Sequence, residues 1–180
     1  EKVSLAFGYG ITATPLQVAR AYSVFANGGM QQPLSLLALE DDIPAGERVV
    51  SPDVARQVLQ VLHAVTGEHG TARKARIPGY RVGGKTGTVH KVGPQGYIDD
   101  QYVALFAGIA PVEDPRLVTV VVINEPQGES YGGGSAAAPV FSRVTAGALR
   151  LLNLAPSIVP AADDAADMAA APAVRGGGAA

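Results

Sequence analysis

Residues 69–98 contain no carboxylate, yet Arg73, Lys74, Arg76, Arg81, Lys85 and Lys91 all fall among them. A run of uncompensated cations describes either a solvated basic surface or a site for an anionic ligand. The centre of the window, Gly83-Gly84-Lys85-Thr86-Gly87-Thr88, favours the ligand. Residues 79–86 fit the GxxxxGK[ST] pattern of a phosphate-cradling loop, and the apolar residues 120–123, followed by Asn124-Glu125, pass for the strand that would supply a magnesium ligand. Such a loop follows a buried strand and opens a helix, so that helical N–H groups face the phosphates. Here the charged residues 73–78 precede it, and the Gly- and Pro-bounded residues 87–94 follow it. Neither reads as the required element.

Lys85-Thr86-Gly87-Thr88 makes better chemical sense as a strand. Side chains alternate along a strand, so Thr86 and Thr88 share one face and Lys85 points away from it. Two adjacent hydroxyls hold a carboxylate, and Lys85 adds positive potential beside it. Gly87 removes a side chain and lets a peptide-like substrate lie along the strand edge. The Thr88 N–H then becomes one donor of an oxyanion hole. As four residues alone, the stretch more readily describes a Lys-Thr turn on a basic loop. His69 and His90 have no acidic partner in the window and read as solvated side chains.

Several elements must position these residues. Thr14-Pro15-Leu16-Gln17 has the pattern of a capping box with Pro in the first turn. Val18, Tyr22 and Phe25 then recur at helical spacing, and Asn27-Gly28-Gly29 closes the helix. A second helix is predicted from Ser51-Pro52, with Val54, Val58, Val61, Leu62 and Val65 on its inner face before Gly67. A third begins near Pro139, with Val140, Val144, Gly147 and Leu151 in line. Between them, residues 102–107 and 117–123 read as strands joined by a Pro-bounded turn into an antiparallel hairpin. The fold class is α+β, an antiparallel sheet flanked by helices.

Composition bounds the remainder. The apolar fraction of 47% suits a buried core, and a net charge of −2 gives no global drive toward nucleic acid. With no cysteine, a disulfide scaffold, a Cys-based zinc site and a cysteine nucleophile are excluded. Apolar runs such as residues 102–107 and 120–123 are far too short to span a bilayer. The chain opens on Glu1-Lys2 without Met or a signal peptide, as expected of a piece of something longer. Residues 1–154 read as one domain. Residues 155–180, built from Ala, Pro and Gly with almost no large apolar side chain, read as a disordered tail.

Several further segments fall into a familiar order. Leu5-Ala6-Phe7-Gly8-Tyr9-Gly10, Thr14-Pro15-Leu16-Gln17 and Ala26-Asn27-Gly28-Gly29 precede Gly83-Gly84-Lys85-Thr86-Gly87-Thr88. Phe106-Ala107-Gly108-Ile109-Ala110-Pro111, Val121-Val122-Ile123-Asn124-Glu125-Pro126, Tyr131-Gly132-Gly133 and Ala138-Pro139-Val140-Phe141 follow. In order and spacing, over about residues 3–154, the chain resembles the bacterial class B penicillin-binding proteins, and most of all their division-specific septal type in Gram-negative bacteria. The resemblance implies the C-terminal half of a serine β-lactamase/penicillin-binding transpeptidase domain.

It implies a D,D-transpeptidase that cross-links peptidoglycan stem peptides through a serine acyl-enzyme and is trapped by β-lactams. Lys85, Thr86 and Thr88 would be the catalytic K-T-G strand, and Gly87, Tyr102 and Tyr131 would bind substrate. Either tyrosine reads equally as a packing residue, and Gly132 stands where many relatives carry a second aromatic. Further implications are the periplasmic face of the inner membrane, division-complex membrane proteins as partners, and no cofactor, metal or nucleic acid. No serine is followed by x-x-Lys and no S-x-N occurs, so the nucleophile is expected upstream of Glu1. Other readings are a P-loop nucleotide-binding protein, a non-enzymatic piece binding RNA or a division partner through the basic window, and a D,D-carboxypeptidase or β-lactamase of the same superfamily.

Overall fold

Thr14 starts the first helix as its neighbours predict: its hydroxyl accepts from the Gln17 N–H at 3.2 Å, and its own N–H donates to the Gln17 side-chain oxygen at 2.8 Å. The computed structural model describes residues 12–37, 39, 44–94, 96–127 and 130–156. The segment 5–10 and nearly all of the expected tail lie outside the described residues. Helix α1 (Pro15–Ala26) ends at Asn27 and leads into a short antiparallel pair, β1 (Met30–Gln31) with β2 (Glu47–Arg48). Helix α2 (Pro52–Ala64) is capped by the Ser51 hydroxyl. A single 3-10 turn (Arg73–Ala75) then precedes the main sheet.

That sheet is β3 (Gly83–Gly93), β4 (Gly96–Ala110) and β5 (Leu117–Asn124), antiparallel throughout, with β4 in the centre. Thr88 lies opposite Ala104 and His90 opposite Tyr102, while Phe106 lies opposite Val121 on the other side. The predicted hairpin of residues 102–107 and 117–123 is therefore present, and its first strand is longer than the apolar pattern suggested. A π-helical turn (Gly133–Ala137) leads directly into α3 (Ala138–Leu151).

Alternation along β4 sends its side chains into two cores. Phe106 and Ala110 join Val82, Phe141 and Leu149 on the α3 side, where the Phe106 and Phe141 rings meet edge to face at 4.8 Å. An aromatic pair in this geometry adds about 0.5–1.5 kcal/mol beyond its area burial. Ile109 points to the other side and packs with Leu59 and Val112, against half-buried Tyr22, Phe25, Leu62 and Val118. The sheet is thus held between α3 on one face and α1 with α2 on the other.

Two predicted helix faces need correction. In α2 the fully buried residues are Ala55 and Leu59, while Val54 and Val61 are exposed. In α3 they are Ala138, Phe141, Thr145 and Leu149, while Val144 and Leu151 are exposed. Both helices carry apolar residues on two sides, and the side that packs inward mixes small residues with large ones: Ala55 with Leu59, and Ala138 and Thr145 with Phe141 and Leu149. Thr145 is tolerated inside because its hydroxyl donates to that of Thr119 at 3.1 Å.

Candidate active site

Lys85-Thr86-Gly87-Thr88 lies within β3, so the strand reading of these residues holds and the loop-then-helix reading fails. Residues 83–90 pair one by one with residues 102–109 of β4, and the strand runs on to Gly93 with no helix opening after Thr86. No ring of amides is left to cradle a phosphate. Alternation places Thr86, Thr88 and His90 on one face together with Phe106, Ala104 and Tyr102, their partners across the ladder.

The Thr88 hydroxyl oxygen accepts from the Gly133 N–H at 3.0 Å. One lone pair is thereby used, and the O–H hydrogen is left to donate to a ligand. The Thr86 hydroxyl lies 3.4 Å from that of Thr71, a loop residue that no sequence motif singled out. Lys85 is exposed, and its ammonium donates to the Thr86 carbonyl at 2.8 Å. Gly133 and Gly134 let the π-helical turn lie directly on the strand. A Cβ at Gly133 would come within 2.3 Å of the Leu105 carbonyl oxygen and 2.6 Å of that of Gly87, and one at Gly134 within 2.2 Å of the Thr71 carbonyl oxygen.

Tyr102 and Tyr131 come together: their rings stack at 3.9 Å and 12°. Gly132 follows Tyr131 directly, and a Cβ there would lie 3.8 Å from the Thr88 hydroxyl oxygen, so the stack borders the two hydroxyls. His90 is half-buried, not the freely solvated side chain its sequence context suggested; its ring meets Tyr102 edge-on at 4.3 Å and Tyr97 at 5.8 Å. The aromatic partners lie across the ladder, where a search for acidic neighbours along the chain does not look. The Tyr131 hydroxyl beside it raises the Tyr102 hydroxyl above its ordinary value, with smaller contributions from burial and the Asp100 and Asp99 carboxylates. His69 is exposed, as expected.

The basic window divides into engaged and open cations. Arg81 pairs with Glu113 at 3.4 Å, and Lys91 pairs with Glu125. Arg76 donates through Nε to the Thr66 carbonyl at 2.7 Å. The third histidine, His63, is structural: Nδ1 donates to the Val82 carbonyl at 2.8 Å while Nε2 accepts from Arg81 at 3.2 Å, an arrangement that assigns the tautomer and ties α2 to the start of β3. Arg73 and Lys74, on the 3-10 turn, are exposed. The result is two hydroxyls and an ammonium at a strand edge walled by stacked tyrosines, which suits a carboxylate-ended peptide.

Comparison with known proteins gives the same direction. The family model described as the penicillin binding protein transpeptidase domain matches residues 1–146. The chain is 42% identical over 163 residues to the peptidoglycan D,D-transpeptidase FtsI of Escherichia coli strain K12, covering 91% of this chain and 28% of that protein. It is also 42% identical over 155 residues to the probable peptidoglycan D,D-transpeptidase PbpC of Pseudomonas aeruginosa, covering 85% of this chain and 27% of that one. Among solved structures, the transpeptidase domain of Burkholderia pseudomallei penicillin-binding protein 3 superposes with a TM-score of 0.82 at 40% identity, over 88% of this chain and 48% of that one. The chain thus spans little more than a quarter of the length of these two relatives.

Proposed function

The chain belongs to the penicillin-binding protein transpeptidase family, and on that premise we propose that it supplies the carboxylate-binding half of a serine D,D-transpeptidase. Residues 1–154 form the C-terminal part of the catalytic domain, and residues 155–180 form a tail outside it. The serine that attacks the penultimate D-Ala of a stem peptide is none of those in residues 1–180, where no serine is followed by x-x-Lys. Attack forms an acyl-enzyme and expels the terminal D-Ala, and an amine of a neighbouring stem then takes the acyl group.

The observation that carries this reading is the pair of hydroxyls on one face of β3, with Thr88 already accepting from Gly133 and so presenting its hydrogen. Thr86 and Thr88 donate to the terminal carboxylate of the stem peptide, or to the carboxylate of a β-lactam. Lys85 favours the anion through its field, and the Thr88 N–H is one donor to the developing oxyanion. Gly87 leaves the edge clear, and Tyr102 with Tyr131 walls the acyl chain. The reaction serves septal wall synthesis at the periplasmic face of the inner membrane, in company with division-complex membrane proteins. The relatives named FtsI support that setting by similarity alone.

Fluorescent penicillin followed by a denaturing gel tests the proposal. The intact polypeptide should take the label covalently, and the 180-residue chain alone should not. A labelled band from this chain alone would mean that a serine within it is the nucleophile. Product analysis with stem-peptide substrate separates the chemistries. Cross-linked dimers are expected, whereas free D-Ala without dimers would make the enzyme a carboxypeptidase.

A further inference from the structure

Glu125 lies just past the end of β5 with φ of 51°, a left-handed conformation that non-glycine residues rarely adopt and that persists only where the surroundings impose it. Two contacts impose it here. The Glu125 N–H donates to the Tyr102 carbonyl at 2.9 Å, and the Glu125 carboxylate pairs with the Lys91 ammonium. Lys91 belongs to β3 and Glu125 follows β5, so the ion pair reaches across the central strand β4 at Tyr102.

Both members of the pair neighbour the aromatic wall. Lys91 follows His90, whose ring edges Tyr102. Glu125 is bonded through its backbone to Tyr102, on whose ring that of Tyr131 stacks. The two side chains are only 30% and 39% exposed, against 69% and 74% for Arg56 and Asp53 on α2. The Lys91–Glu125 pair is therefore the less screened of the two. Its attraction is set against the backbone strain at Glu125. The pair joins β3 to the residue just past β5, across the strand that carries Tyr102.

We propose that Lys91 and Glu125 are a positioning pair for the transpeptidase site: together they hold the Tyr102–Tyr131 stack at the angle that meets the bound acyl chain. This rests on the reading of Thr86 and Thr88 as the carboxylate clamp. Neither residue touches substrate; they act through the tyrosines.

Charge reversal tests the pair in the intact polypeptide. Lys91→Glu and Glu125→Lys should each slow acylation by fluorescent penicillin roughly tenfold, as a misplaced wall does, and the double swap should return it to within about threefold of wild type because the two losses are coupled. Glu125→Gln keeps the side chain's shape and should give an intermediate loss if the swaps disturb folding. Nuclear Overhauser contacts between the Tyr102 and Tyr131 rings, read with labelled tyrosine, report the wall without any reaction. They should fade in each single variant and reappear in the double swap. Ring contacts that persist unchanged in the single variants overturn the positioning role, and so does a double swap that fails to restore them. A wild type that shows the ring contacts yet takes no penicillin would sink the transpeptidase reading instead.

Discussion

At its start β3 is buried beneath α2 and the Phe106 ring, whereas from Lys85 to Gly93 much of it is open, and glycines stand in both stretches for different reasons. A Cβ on Gly83 would come within 2.9 Å of the His63 nitrogen, and one on Gly84 within 2.5 Å of both the Ala107 carbonyl oxygen and the Phe106 ring. Those two positions are glycine because nothing else fits. On Gly87 the nearest atoms would be carbons of Leu105 at 3.5 Å, an ordinary contact. Packing does not demand glycine there, and the proposed role at Gly87 is to leave room for the ligand. One strand is thus limited by the core at one end and, on the proposed reading, by chemistry at the other.

The largest effect expected from breaking that contrast is at the buried end. Gly84→Ala must displace either the Ala107 carbonyl or a Phe106 ring already held by Phe141, so thermal or urea unfolding should show a loss of about 2–3 kcal/mol. A variant as stable as wild type would mean the buried end is not packing-limited. At the open end, Thr88→Val removes one hydrogen bond to a charged ligand and should raise the acylation barrier by ~1.5–3 kcal/mol, roughly tenfold to a hundredfold in rate. It also deprives the buried Gly133 N–H of its acceptor, so stability should fall by about 1 kcal/mol as well. Wild-type acylation kinetics would strip the hydroxyl of its role in the clamp.

The helix starts and the hairpin were legible because local rules govern them: Thr14 and Ser51 are caps, and residues 117–123 are β-branched and apolar. The inner faces of α2 and α3 were not. Valines at helical spacing outweigh alanines on any hydropathy count, yet Ala55 and Ala138 are buried while Val54, Val61 and Val144 are exposed. In the site, alternation suggested that Thr86 and Thr88 share a face of a strand, as they do, but it took the resemblance to prefer that strand over a turn and to single out Tyr102 and Tyr131. Thr71, the turn at Gly133–Ala137 and the aromatic setting of His90 were not, since each depends on contacts made far along the chain.

Gly87→Ala sharpens the same contrast with a smaller effect. Stability should stay within about 0.5 kcal/mol of wild type, as for substitutions that meet no special feature, while acylation slows measurably. Unchanged acylation would mean that the glycine serves neither core nor ligand. The smallest effect concerns Tyr22 in α1 and Tyr102 at the open end of the site. Burial raises the Tyr22 hydroxyl, and Tyr102 is raised chiefly by Tyr131. A raised value means the folded chain keeps its proton longer than the unfolded one. The associated stability is complete below the unfolded value of about 10 and is lost as pH rises through the folded value. Denaturation followed through this alkaline range should therefore show a decline that is shallower in Tyr22→Phe and in Tyr102→Phe. An identical decline in both variants would assign it to other groups.

The side of β3 that no described strand covers is open to another molecule of the same kind as well as to a peptide, and so carries a colloidal hazard. Antiparallel self-pairing centred on Thr88 would set Lys85 of one molecule opposite Lys91 of the next, and again at the other end of the contact. Like charges facing across strands oppose pairing. The ammonium that favours an anionic ligand thus also discourages stacking of strand upon strand, and its loss would be felt as precipitation in a concentrated preparation before any assay of turnover.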